Sequence, residues 1–389
     1  MGKRAQYAKE DRFSEKKRKV ESVDIPFLIL VLLLLVLGLT MLYSASYAQS
    51  QYDTGYTSTT RYLQKQAVCA VIGLGAMWLL SRIPAQLWHR YAWGLYALSI
   101  VLLLSVLVFG QSVNGARRWI NIAGIQFQPS EIAKFAMIVL FARLTKGFGP
   151  NAVQFRYGVL GFGCALLGIL IPLALEKHLS AIMLMGMVAV VMMYVAGTSL
   201  KWLLMGAGAA AVFVVIYISF MGYAGDRVTA WLHPEEDPSD TGYQILQSLY
   251  AIGSGGMFGL GFGKSKQKYL YLPFQYNDYI FAVVCEELGL VGAAAIIILF
   301  VALILRGYWI ALRAPDRFST VLAAGIVTLI AVQTILNLCV VTNLLPSTGI
   351  ALPFFSYGGT ALAVNLGEMG IVLGISRFRN QAKRQEDLL

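Results

Sequence analysis

Apolar residues run along this chain in blocks of about twenty, each closed by charged or turn-forming residues. Blocks of that length match the hydrocarbon thickness of a bilayer, and a helix satisfies all its own backbone groups across it. The pattern predicts spanning helices over residues 25–44, 64–81, 91–110, 129–145, 158–176, 178–196, 201–220, 278–305, 319–341 and 356–376. The fifth and sixth nearly touch at Glu176, Lys177 and His178. The expected fold is an all-α polytopic membrane protein of about ten helices. A membrane domain covers residues 25–376, between a basic N-terminal arm (1–24) and a short tail (377–389), with a large outer loop (221–277) between the seventh and eighth helices.

Composition excludes a soluble alternative. Of 389 residues, 58% are hydrophobic and 13% charged, with a mean hydropathy of +0.66, so a globule of this chain would leave apolar surface in water. The net charge of +11 does not indicate nucleic acid, because Lys and Arg flank the apolar runs rather than forming a basic face. With a cytoplasmic N-terminus, Lys and Arg are about twice as numerous on the cytoplasmic side, as the positive-inside rule requires, and an even number of spans returns both termini there. The run from Ile25 to Tyr43 is too long for a cleaved signal core. Cys69, Cys164, Cys285 and Cys339 lie within apolar runs at unrelated spacings, which predicts neither a disulfide nor a metal knuckle.

Four stretches then face outward: 45–63, 111–128, 221–277 and 342–355. The third is long, aromatic and glycine-rich, and long loops in compact proteins are commonly functional. Within it, residues 243–252 carry apolar positions at helical spacing, as in a short amphipathic helix at the membrane surface. Gly253 to Gly263 (GSGGMFGLGFG) supports two readings, close packing of re-entrant backbone or an anion cradle, and no strand or Walker lysine accompanies it. Lys264, Lys266 and Lys268 follow, a cluster that suits a phosphate or a solvated surface.

Charges inside the spans are costly and mark candidate sites. Glu131 and Lys134, three apart, share a helix face and form either a packing ion pair or a ligand contact. Glu286 and Glu287 point about 100° apart, so at most one is expected to face a given cavity while the other caps or pairs with a neighbouring helix. Glu368 is unassigned by spacing alone. Asp278, where the long loop enters the eighth helix, is expected on local grounds to cap that helix.

Six ordered strings change the picture: GARRWI (115–120), QPSEIAK (128–134), DRVTAWLHPEEDP (226–238), GYQILQSL (242–249), DYIFAVVCEELGLVG (278–292) and LLPSTGIALPFFSYGGTAL (344–362). Together they resemble the SEDS (shape, elongation, division and sporulation) family of FtsW, RodA and SpoVE, over nearly the whole chain. The resemblance implies a ten-helix peptidoglycan glycosyltransferase in the bacterial cytoplasmic membrane that polymerises lipid II into glycan strands on the outer face. It implies Asp278 as the catalytic base and Trp119, Glu131 and Lys134 in the substrate site. Arg117, Arg118, Arg227, Lys264 and a divalent cation (Mg²⁺ or Mn²⁺) are the candidates to meet the leaving diphosphate, and the motif positions Gln128, Gln244, Ser248 and Ser356 are assigned to the site together with Lys268. The implied partners are a class B penicillin-binding transpeptidase and other division proteins. The LGISRFR and VVTNLLPSTG strings lean towards the division and sporulation branch. The chain departs from the family where many relatives read LPEAHTD: it has Leu272, Pro273, Phe274, Gln275, Tyr276, Asn277 and Asp278, so a neighbouring glutamate and histidine are missing. A rival of another class is a lipid II flippase, with Glu131, Lys134 and Glu368 along its path. A scaffold that only recruits division enzymes is a third reading.

Overall fold

The computed structural model describes residues 22–113, 116–122, 125–206, 208, 229–236 and 241–378. Outside them lie most of the expected arm and tail, the expected seventh span (201–220) beyond its first residues, and Arg227. Among the described residues the helices are α1 (Ile25–Asp53), α2 (Arg61–Leu80), α3 (Ala85–Phe109), α4 (Pro129–Phe148), α5 (Phe162–Leu175, entered through a π-helical turn at Arg156–Gly161), α6 (Leu179–Val195), α7 (Thr241–Gly255), α8 (Ile280–Leu312), α9 (Arg317–Val341) and α10 (Gly359–Ser376). Seven of these segments are long and apolar enough to cross a membrane, and α6 is a shorter apolar helix. The chain is a multi-pass membrane protein.

Local chemistry starts and stops these helices. Asp24 caps α1 by accepting from the Phe27 N–H at 3.1 Å, and Asp316 caps α9 by accepting from the Ser319 N–H at 3.1 Å. Pro129, which needs no N–H partner, opens α4. Helices α9 and α10 form the buried centre, whereas α1, α2, α3, α5 and α8 turn large apolar residues such as Val36, Val71, Val101, Ile171 and Ile298 outward, as contact with lipid requires.

Two polar rungs fix the scale. At one end Arg306 donates to both carboxylate oxygens of Asp24 (2.9 and 2.8 Å), while the Asp24 N–H donates to Ser376 Oγ at 3.1 Å. The first and last spans therefore meet at the same end of the bundle. At the other end Ser44 on α1 meets Glu287 on α8, with oxygen separations of 2.6 and 2.8 Å. About twenty residues of each helix separate the rungs, ~30 Å at the helical rise, which is the thickness of a bilayer's hydrocarbon core. Ala196, after α6, accepts from Arg317 near the first end, whereas the Trp231 indole donates to Asn343 O at the second, where the described parts of the long loop lie.

The helical membrane fold carries one small antiparallel sheet of three strands: β1 (Gln111–Val113), β2 (Ala116–Ile122) and β3 (Ile125–Phe127), in the order β1-β2-β3. Trp119 pairs with Gln111 and Ile120 with Phe127. A segment leaving a membrane helix must pair its freed backbone groups, and a meander does so locally. Thr360 at the start of α10 donates to Gln126 O at 2.7 Å, fixing the sheet over the central helices. Helix α1 also runs nine residues past the expected end of its apolar block, and α3 begins six residues early.

Candidate functional site

The end of the bundle that holds the Ser44–Glu287 contact is organised by a break in α8. Gly289 has φ +68°, and a Cβ there would sit 2.3 Å from the Gly259 nitrogen, so the position requires glycine. The break frees backbone groups that the glycine-rich segment takes up. Leu260 and Gly261 N–H donate to Glu286 O and Glu287 O (2.9 and 3.0 Å), and Leu290 and Val291 N–H donate to Gly256 O and Met257 O (2.9 and 3.1 Å). The close-packing reading of the GSGGMFGLGFG string is the one this geometry supports.

Glu286 and Glu287 correct the expectation that they serve different surroundings. The segment 263–268 folds around both. Glu286 accepts from the Ser265 hydroxyl and from Lys266 and Gln267 N–H (2.9 and 3.3 Å). Glu287 accepts from Gly263 N–H (3.0 Å), Ser265 N–H (3.3 Å) and the Lys268 ammonium (3.0 Å). Lys268 also donates to Gly263 O at 2.6 Å and Ser44 Oγ at 3.0 Å. Lys268 and Glu287 are both buried, so this cation is occupied in a clasp between loop, α8 and α1. Lys264 and Lys266 are exposed beside it.

Asp278 does not cap α8, whose N-cap is Tyr279; it lies half-buried in the turn before it. That turn is held from several sides. Asn337 of α9 donates to both Asp278 O (2.8 Å) and Ile350 O (2.7 Å). Ser356 donates to Asn277 O at 2.7 Å and accepts from Leu352 N–H at 2.7 Å, and the Tyr357 N–H donates to Tyr276 O at 2.9 Å. Gln66 of α2 clips the same strand by donating to Ser356 O (3.1 Å) and accepting from Gly358 N–H (3.2 Å). Gly349, at φ +68°, lies close enough that a Cβ would stand 3.3 Å from Asp278 Oδ2. Tyr62, Tyr276 and Tyr357 pack tilted and edge-to-face beside the turn with ring centroids 4.5 to 6.0 Å apart, and Tyr62 hydrogen-bonds Asp53.

A second polar group lies beneath the sheet. Lys134 and Glu131 pair at 2.8 Å, both buried. Glu368 of α10 lies within the electrostatic reach of both, its two carboxylate oxygens buried and without a hydrogen bond among the described residues. His178, the N-cap residue of α6, is buried within the fields of Lys134 and Arg118. Arg118 donates to Lys177 O at 2.6 Å and faces Glu176. Ser180, on the first turn of α6, donates to Thr348 O next to Gly349, which connects this group to the Asp278 turn.

Burial holds the Glu176 carboxyl above its ordinary 4.5, against the pull of Arg118, and holds the His178 imidazole below its ordinary 6.5, assisted by Arg118 and Lys134. Glu176 binds its proton more tightly folded than unfolded, so its contribution to stability is present below pH 4.5 and lost as pH rises through the raised value. His178 binds less tightly when folded, so its contribution is present above pH 6.5 and lost as pH falls. The two slopes oppose between the ordinary values, and above pH 6.5 that of Glu176 is no longer opposed by His178. The thermal midpoint is therefore expected to fall as pH is raised from 6.5 towards 8, and Glu176→Gln to make that fall shallower. A wild-type midpoint that stays level, or a variant with the wild-type slope, would contradict this assignment.

The other expected site residues are placed as follows. Arg117, on β2, is exposed and donates to Leu107 O at 2.8 Å; Trp119 is half-buried on the same strand. Gln128 precedes α4, and its carbonyl accepts the Glu131 N–H at 3.1 Å. Gln244 donates to Pro273 O at 3.2 Å, and buried Ser248 donates to Val341 O at 2.8 Å, so both fasten α7 in place. Sequence reasoning missed the tyrosine trio, Asn337, and the electrostatic influence of Arg118 on Glu176. Asn337 and Gln333, polar positions four apart in an apolar span, were detectable by the rule that singled out Glu131; the tyrosines carried no such signal.

The family model for FtsW, RodA and SpoVE, described as cell cycle protein, matches residues 25–381. A probable peptidoglycan glycosyltransferase FtsW of Geobacter sulfurreducens is 38% identical over 364 residues, covering 92% of this chain and 96% of that protein. Stage V sporulation protein E of Bacillus subtilis is 38% identical over 364 residues, covering 92% and 98%. Among solved structures, a chain from a study of how a peptidoglycan synthase complex coordinates polymerization and crosslinking aligns with a TM-score of 0.78 at 29% identity, covering 92% of this chain and 99% of that one. The rod shape determining protein RodA of Thermus thermophilus aligns with a TM-score of 0.68 at 27% identity, covering 92% and 97%.

Proposed function

This chain belongs to the FtsW/RodA/SpoVE family, and we propose on that premise that it is a peptidoglycan glycosyltransferase polymerising lipid II at the outer face of the bacterial cytoplasmic membrane, for division or related wall synthesis. The observation that carries the reading is Asp278, a half-buried carboxylate on a turn fastened by Asn337 and Ser356, with Gly349 close against its side chain, at the end of the bundle read as outer. In this reading Asp278 takes the proton from the attacking sugar hydroxyl. The hydroxyl oxygen bonds to the anomeric carbon as its bond to the diphosphate breaks, and the α-linked donor becomes a β-linked product. Exposed Arg117 and, through the edge of the sheet, Arg118 supply positive charge for the departing diphosphate.

Among the described residues no group of three or more His, Cys, Asp or Glu is placed to hold a metal. The described residues alone offer no cage for the expected divalent ion. The shared end of α1 and α10, with the Lys and Arg bias, supports cytoplasmic termini. A class B penicillin-binding transpeptidase is the proposed partner, because a strand polymerase needs a crosslinking enzyme beside it.

The test is direct: purified protein with its transpeptidase partner, given lipid II and Mg²⁺, should yield glycan strands on a gel, and movement of lipid II across vesicles without polymer would favour the flippase. Asn337→Leu is expected to lower the polymerisation kcat by about ten- to a hundredfold with KM little changed, since it loosens the turn without touching the carboxylate. An unchanged kcat in a folded variant would remove Asn337 from the positioning of Asp278.

A further inference from the structure

Residues 241–277 contain no aspartate or glutamate, and their cationic side chains are Lys264, Lys266 and Lys268. Glu287 neutralises Lys268, which leaves a positive rim formed by the exposed Lys264 and Lys266. Immediately before that rim, Met257, Phe258, Leu260 and Phe262 turn outward, Phe258 being 81% exposed. The backbone beneath them is tied to the α8 break: Leu260 and Gly261 N–H donate to Glu286 and Glu287 carbonyls, and the Gly256 and Met257 carbonyls accept from Leu290 and Val291 N–H. Apolar side chains over backbone paired in this way suit a lipid-facing re-entrant segment.

Depth separates lipid from water as the surroundings. Glu287 stands at the outer rung, ~30 Å from the Asp24–Arg306 rung, and Leu290 and Val291 lie ~5 Å below it at the helical rise. Their exposed side chains continue the patch of Met257 and Phe258, to whose segment they are hydrogen-bonded. The apolar residues therefore stand just inside the hydrocarbon, and the two lysines at the level of the headgroup phosphates. Lys264, some 10 Å deeper than the Asp278 turn along α8, is not beside that carboxylate.

We propose that residues 256–266 form an outer-leaflet lipid anchor: Met257, Phe258 and Phe262 enter the top of the acyl-chain layer, and Lys264 and Lys266 bind the phosphate of an anionic phospholipid. The clasp to the α8 break transmits the height of this anchor to the turn that carries Asp278, about two helical turns further out. The inference stands independently of the proposed reaction, because its readout is lipid contact.

The test places a reporter at the exposed tip. Full-length Phe258→Trp protein, matched to wild type in thermal midpoint, is reconstituted in vesicles of phosphatidylcholine or phosphatidylglycerol brominated high or low on the acyl chain, and the added fluorescence is measured against wild type. Expected is stronger quenching by the shallow bromines, and by the brominated anionic lipid at least about twofold over the neutral one, the preference disappearing in Lys264→Gln/Lys266→Gln. Quenching by aqueous acrylamide but not by bromolipid would place the segment in water and overturn the anchor. Shielding from both would indicate a covering protein, a partner or a second copy, and overturn it equally. Equal quenching by the two headgroups would overturn the role of the lysines.

Discussion

Asp278→Ala is expected to abolish glycan polymerisation, by at least about a hundredfold, while the protein keeps the thermal midpoint of the wild type. The prediction follows from how the turn is built. The backbone of the turn is gripped from outside: Asn337 binds the Asp278 carbonyl, Ser356 the Asn277 carbonyl, and Tyr357 the Tyr276 carbonyl. Removing the carboxylate leaves these three backbone bonds in place, and they hold the turn in the variant. Asp278→Asn, which keeps the shape and cannot accept the proton, should fail as completely. Gel analysis of strands made from lipid II with the partner transpeptidase present is the measurement, and polymer from either variant at the wild-type rate would remove Asp278 as the general base.

Glu287→Ala is expected to cost about 3–5 kcal/mol of stability, the largest loss of any single substitution discussed, because it strands the buried Lys268 ammonium without its counter-charge. It also leaves the Gly263 and Ser265 N–H groups without their acceptor and breaks the contact of α1 with α8 through Ser44. Lys268→Met leaves an uncompensated carboxylate and should be costly as well. The double variant Glu287→Gln/Lys268→Met removes both charges and should recover much of the loss, since a buried pair replaced by neutral groups is often nearly neutral overall. Thermal unfolding of wild type, Glu287→Gln, Lys268→Met and the double variant in the same detergent measures the coupling, with Glu287→Ala run beside them. Additive losses would show that the two residues do not act as a pair, and a Glu287→Ala protein melting with the wild type would show that the clasp contributes nothing.

Much of this molecule was legible one residue at a time. Spanning segments are long, and their cost in water is set by composition, so nine of the expected spans reappear as helices, some with ends displaced by up to nine residues, while the expected span 201–220 lies largely outside the described residues. The Glu131–Lys134 pair followed from helical spacing, and the family from six motif strings in order. Local rules failed where the partner of a group lies far along the chain. Asp278 has the chemistry of a cap, yet α8 starts at Ile280 because Asn337, 59 residues on, holds the preceding turn. Adjacent glutamates diverge on any helix, yet both Glu286 and Glu287 meet one loop, because that loop wraps the end of a helix broken at Gly289. The order of hydropathy along the chain thus determined which segments cross the membrane and which motifs they carry. Only the tertiary structure decided which polar groups meet, because a backbone or charge withdrawn from water must be satisfied by whatever the fold brings beside it, and hydropathy carries no information about that partner.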